Sequence, residues 1–127
     1  MKPFPVKTIQ KTIFPIGFGG AALSGEGGGY GFGEMSEDQA ETLIRGSLER
    51  GINLFDTAPI YGFGLSELRL GKYLKQSDEA FIVSKGGVDW HDTRRVNMSN
   101  DPKIISKMLH ESLNRLQRDC IDLYMIH

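Results

Sequence analysis

Apolar positions in this chain follow two alternating rhythms, short unbroken runs and helical stripes, and the alternation itself predicts the architecture. Ser36-Glu37-Asp38-Gln39 reads as a capping box, in which a serine hydroxyl and a glutamine side chain satisfy each other's backbone amides at a helix start. Ala40, Leu43, Ile44 and Leu48 then share one helical face, and Gly51 supplies the stop. Ile52 to Phe55 is a short apolar run closed by Asp56, after which Pro59, Gly62 and Gly64 open a loop. A second helix is expected from Ser66, with Leu70, Tyr73 and Leu74 as its stripe. Gly71 inside that helix costs about 1 kcal/mol against alanine, which points to a packing reason. Phe81 to Lys85 is taken as the third strand, with Lys85 at its end. Asp101-Pro102 is an N-cap with proline in the first helical position, and Ile105, Met108, Leu109, Ser112, Leu113 and Leu116 continue that helix. Ile121 to Ile126 is a last strand.

Upstream, Val6 to Phe14 has the mixed pattern of a small hairpin, and Ile13 to Gly19 reads as the first strand of the sheet, running into Gly20-Ala21-Ala22. Gly86 to Asn100 is expected to be a long polar loop carrying Trp90, His91, Arg94 and Arg95. Four strands alternating with three helices imply a parallel α/β architecture.

Length and charge narrow the class. The 127 residues, 39% hydrophobic and 24% charged, have a globular balance, but a complete eight-stranded barrel takes about 250 residues, so roughly half of one is available. A net charge of −1 supplies no general field for nucleic acid or an anionic membrane. Cys120 is the single cysteine, which suits a reducing cytoplasm, and Met1 to Pro5 leads into no apolar run of the signal-peptide kind. No stretch approaches the ~18 apolar residues of a spanning helix. A soluble, cytoplasmic protein is therefore expected. His91, His110 and Cys120 have no zinc spacing, so no metal is expected.

Asp56 at a strand end and Tyr61 in the following loop fall at the carboxyl edge of a parallel sheet, the edge where barrel enzymes keep their chemistry. Ser24 to Gly33 is glycine-rich, yet it lacks the Gly-Lys-Ser/Thr ending of a phosphate loop and follows no dinucleotide-fold strand with its acid. It reads instead as a mobile loop over the site, with Tyr30 or Phe32 as a wall of the pocket.

Around these positions the sequence resembles a known family. Asp56-Thr57-Ala58, Tyr61-Gly62, Gly64, Ser66-Glu67 and Leu70-Gly71 resemble the aldo-keto reductase pattern. Phe81-Ile82-Val83-Ser84-Lys85, Ser112-Leu113-Asn114-Arg115-Leu116 and Asp122 to His127 resemble its next segments, in the same order. The resemblance implies the first half of a TIM-type (β/α)8 barrel over residues 1–127, with NADPH as cofactor and a small aldehyde or ketone as substrate.

By that resemblance Asp56, Tyr61, Lys85 and His127 are the catalytic set. A phenol, with an ordinary pKa near 10, is a poor acid at pH 7 unless a neighbouring ammonium stabilises its anion. Lys85 would stand there, held by Asp56, while His127 would orient the substrate oxygen. Gly20, Ala21 and Asp56 would border the cofactor; where the family carries a small hydroxylated residue this chain has Gly20, which leaves backbone contact alone. Trp90 is either a substrate-pocket wall or a tryptophan packed on its own loop. Taken singly, Asp56 reads as a turn cap, Lys85 as a solvated strand end, and His127 as a chain terminus. Falling together at strand ends, they favour chemistry over decoration. The alternative is a non-catalytic half-barrel or a cofactor-sensing subunit. A half-barrel is also expected to associate, with a second copy or with the remaining half of the barrel.

Overall fold

The computed structural model describes residues 4–6, 11–25 and 30–127. The tip of the expected hairpin and the centre of the glycine-rich stretch lie outside the described residues.

The capping box forms as written. Ser36 Oγ accepts from Gln39 N at 3.2 Å, Gln39 Oε1 accepts from Ser36 N at 2.8 Å, and α1 runs Glu37–Glu49. Its buried face is Ala40, Ile44 and Ser47, whereas Leu43, expected on that face, is 44% exposed. The sheet covers an arc centred on the 40-44-47 row, and Leu43 lies beyond its edge. Helix α2 spans Leu65–Leu74, beginning one residue before the expected start at Ser66, with Gly64 as its N-cap in a left-handed conformation (φ 93°). Helix α3 spans Pro102–Leu116, with Asp101 accepting from Lys103 N at 2.8 Å.

Four parallel strands, β3 (Gly17–Gly19), β4 (Leu54–Asp56), β5 (Phe81–Gly86) and β8 (Leu123–Ile126), lie side by side in the order β3-β4-β5-β8. In register, Gly19 stands opposite Asp56, Asp56 opposite Val83, and Lys85 opposite Met125. Side chains alternate along β5. Ile82 joins Leu23, Ala40, Ile44, Phe55, Leu70, Leu74 and Leu116 in the core under the helices, while Phe81 and Val83 join Leu54 and Ile13 on the other face. Burial on both faces is why this strand reads as an unbroken apolar run.

The expected hairpin is β1 (Phe4–Val6) with β2 (Lys11–Ile13), antiparallel, so Ile13 belongs to it and the first barrel strand begins only at Gly17. Pro15, which has no amide proton to give a ladder, separates the two. Asn53 fastens the hairpin beneath the sheet: its carboxamide accepts from Phe14 N at 2.9 Å and donates to Thr12 O at 2.8 Å and Glu79 O at 3.1 Å. Lys11 adds an ion pair to Asp122 at 2.6 Å. The hairpin is thereby fastened across the amino-terminal edge of the sheet.

A second correction concerns 86–100. Rather than a plain loop, it contains the antiparallel hairpin β6 (Val88–Trp90) with β7 (Val96–Met98). Its three-residue arms are too short to show a period, and the five polar residues between them dominate the local pattern. Arg69 of α2 ties together the residues on either side of the glycine-rich stretch, donating to Leu23 O at 2.7 Å, Met35 O at 2.9 Å and Glu37 at 3.1 Å.

In the four-stranded sheet β3 and β8 are the edges, and Leu123, Met125 and Ile126 on β8 are 45%, 36% and 65% exposed. An open edge beside apolar side chains invites pairing, and a small open sheet buries little surface against its ordering entropy. The 127-residue polypeptide is expected to sediment as a dimer or larger species. A compact monomer that melts cooperatively at low concentration would contradict this.

Candidate active site

The Lys85 ammonium is the hub of the carboxyl edge. Nζ donates to Asp56 Oδ1 at 2.7 Å and to the Thr57 carbonyl at 2.9 Å, and it lies 3.4 Å from the Tyr61 hydroxyl. Three acceptors face the three protons of one ammonium, and only 11% of the lysine side chain is exposed. Strand alternation explains the aim, because Lys85 points to the same face as Val83 while Ser84 points under the helices. Asp56 reaches Lys85 from the end of the adjacent β4.

Tyr61 is held by a compact loop. Tyr61 N bonds Ala58 O at 3.1 Å, Gly64 N bonds Pro59 O at 2.7 Å, and Ser66 N returns to Tyr61 O at 3.2 Å. Gly62 has a positive φ of 63°, and a Cβ there would run into the Ser24 backbone, so the residue after Tyr61 must be glycine for two reasons. The His127 ring meets the Tyr61 ring edge-on at 6.0 Å and 89°, and its amide is anchored to Gly86 O at 2.8 Å. Desolvation, then the Lys85 charge, hold this imidazole below its ordinary value against the pull of Asp56. A neutral ring able to donate one hydrogen bond is thus favoured at pH 7.

Two adjacent residues at the start of α2 support these groups. Ser66 Oγ lies 2.8 Å from Thr57 Oγ1 and donates to Gly20 O at 2.7 Å, joining the ends of β3 and β4. Glu67, with no exposed surface, accepts from Ser84 Oγ and from Arg115 Nε, both at 2.6 Å, joining β5 and α3. Gly20 is buried, and a Cβ there would meet Asp56 O at 2.6 Å and Ser66 Oγ at 2.9 Å. Its missing side chain therefore serves protein packing, and the open backbone at this point is Gly19, with Ala21 half-buried beside it.

The three aromatic groups expected over the pocket part company. Tyr30 meets Phe63 at 6.3 Å and 88°, Trp90 meets the same ring at 5.8 Å and 74°, and Phe32 is 85% exposed. Trp90 thus packs across elements, on Phe63 and on the Arg115 guanidinium at 5.7 Å, rather than on its own loop. Phe63 was not anticipated; the signal available was an aromatic between two glycines, two residues beyond Tyr61. Arg115 was read only as part of a family-like segment, and its pairing was not foreseen, since its partner Glu67 lies 48 residues away. Among the described residues no three His, Cys, Asp or Glu side chains are grouped to hold a metal, and no helix is long and apolar enough to cross a membrane.

The arrangement is matched by known proteins. The model of the aldo/keto reductase family matches residues 15–127. Aldo-keto reductase YhdN of Bacillus subtilis is 38% identical over 115 residues, covering 88% of this chain and 33% of the relative. An aldo-keto reductase of Schizosaccharomyces pombe, designated with NADP(+), is 33% identical over 97% of this chain and 36% of its own length. A glycerol dehydrogenase structure from Gluconobacter oxydans superimposes with a TM-score of 0.82 at 32% identity, over 98% of this chain and 38% of that one. The chain spans about a third of the length of the curated relatives it matches, and its parallel strands and helices correspond to part of their (β/α)8 barrel. Sequence motifs, sheet order and family match agree: the chain belongs to the aldo-keto reductase family.

Proposed function

We propose that this chain supplies the proton-donating part of a carbonyl reductase that uses NADPH to convert an aldehyde or ketone to an alcohol. The observation that carries the reading is the Lys85 ammonium seated between the Asp56 carboxylate and the Tyr61 hydroxyl. When the substrate carbonyl accepts a hydride on carbon, its oxygen needs one proton. Tyr61 gives that proton, and the resulting phenolate is compensated by Lys85, whose aim is kept by Asp56 and the Thr57 carbonyl. Neutral His127 donates a hydrogen bond to the same oxygen, fixing the carbonyl without competing as the acid.

NADPH, when bound, supplies the hydride. The residues present fit the reacting end of such a group: beside Asp56 the exposed Gly19 backbone has open space where a Cβ would stand, so a flat ring can approach the strand end. Gly19, Ala21 and Asp56 are the residues we assign to that border. Contacts to the dinucleotide phosphates are assigned to the remainder of the barrel, beyond the third of the relatives' length that this chain spans.

Two measurements test this. A protein carrying the chain together with the rest of the barrel is expected to consume NADPH on addition of a reactive aldehyde, read by absorbance; cofactor binding without any turnover would favour the sensing alternative. The 127-residue polypeptide alone is expected to show no saturation in a fluorescence titration with NADPH or NADH up to about 1 mM, the upper end of ordinary enzyme KM values. Micromolar binding would refute the assignment of the phosphate contacts.

A further inference from the structure

The proton-transfer scheme leaves the Glu67–Arg115 ion pair unused. Glu67 is wholly buried and both its oxygens are engaged, one by Ser84 and one by Arg115. A buried ion pair is poor evidence for stability, because well-packed apolar residues in its place are often as stable. Its retention calls for a geometric reason, and Arg115 shows one.

From α3, the Arg115 side chain runs beneath Gly64, where a Cβ would lie 2.9 Å from Arg115 Cδ, and ends with its guanidinium on the Trp90 ring. Gly64 also has φ 93°, so a side chain there would be strained as well as blocked. Trp90 in turn meets Phe63, which is two residues from Tyr61. The guanidinium is held in its plane by Glu67 at Nε and by Ser112 Oγ at 3.3 Å. Tyr124 packs beside it: burial first, and then the Glu67 charge, push that phenol up to about 12, and its oxygen is buried. Glu67 is thus enclosed, and Arg115, with 18% of its side chain exposed, is held at Nε, at Nη2 and against the Trp90 ring.

We infer that Arg115, pinned by Glu67, is a specificity-determining positioning residue. It fixes where the Trp90–Phe63 pair stands against the loop that carries Tyr61, and so which carbonyl substrates reach the phenol. The inference rests on the reductase reading for its substrate consequence, and on packing alone for the placement of the wall.

Trp90 is the single tryptophan, so its emission reports the wall directly. The double variant Glu67→Gln/Arg115→Met removes the pair without stranding a buried charge, and Arg115→Lys keeps the charge while losing the planar fork. In the chain itself, both are expected to shift Trp90 emission and raise its quenching by acrylamide about twofold, since the ring loses the planar guanidinium stacked on it. In the complete enzyme, the KM for benzaldehyde should change about tenfold relative to that for propanal while kcat stays within about twofold. A purely structural pair would lower the melting point and leave that KM ratio alone. Should the double variant fail to fold, Arg115→Lys is read by the same two measurements. Unchanged Trp90 emission and quenching would overturn the inference; so would a displaced wall with an unchanged KM ratio. If the parent enzyme reduces no aldehyde, the reductase reading fails, and the fluorescence arm alone decides whether Arg115 sets the wall.

Discussion

Replacing Tyr61 with phenylalanine is expected to lower kcat for carbonyl reduction by about 10²–10⁴, the usual contribution of a positioned acid, while NADPH binding changes little. The hydroxyl is the only group removed, and the ring keeps its edge-on contact with His127. Lys85→Met should cost nearly as much by a different route: the phenol remains, but its anion loses the ammonium 3.4 Å away, and the Asp56 carboxylate loses its partner at 2.7 Å. The two effects should not add in the double variant, because both act on one proton transfer. The assay is loss of NADPH absorbance with a reactive aldehyde in the complete enzyme, with cofactor affinity measured separately. Parental activity in the Tyr61→Phe protein would sink the proton-donor assignment.

What made these residues legible was local. Asp56 and Lys85 each close an apolar run, and a strand buried on both faces announces its end by its first charge. The capping box at Ser36 and the Asp101-Pro102 helix start were legible for the same reason, since each signal fits within four residues. The family resemblance covered these positions with motifs in order, and the family match spans the same region.

The remainder depended on distance or on shape. Arg115 and Glu67 are far apart in the chain, and no local pattern says that a charge will be buried against another helix. Leu43 shows the limit of a helical stripe: period alone gives a face, and the width of the surface it meets decides which of its residues are covered. The β6–β7 hairpin was hidden by its short arms, and it is what carries Trp90 to Phe63.

Gly71 was legible as an anomaly, and its structural reason yields the other large effect. In an ordinary helix glycine to alanine stabilises, by about 1 kcal/mol of propensity and reduced unfolded-state freedom. At Gly46 in α1 nothing opposes that gain, since the nearest obstacle to a Cβ is the flexible end of exposed Arg50 at 3.1 Å. Gly46→Ala is therefore expected to raise the melting temperature by a few degrees. At Gly71 the Cβ would strike backbone: the Arg115 carbonyl oxygen, and Leu116 C and Cα at 2.7 and 2.8 Å. Backbone in the last turn of α3 cannot step aside without breaking its own hydrogen bonds, so α2 would have to move away from α3. That separation opens the layer around Leu70, Leu74 and Leu116, all without exposed surface. Overpacking of this kind costs about 1–3 kcal/mol, more than the propensity gain returns at its upper end. Gly71→Ala should melt several degrees lower, opposite in sign to Gly46→Ala, and because Arg115 lies at the point of collision, the Trp90 emission should shift with it. Equal stabilisation by both alanines, measured by thermal unfolding at one protein concentration, would show that the α2–α3 contact is looser than these distances require.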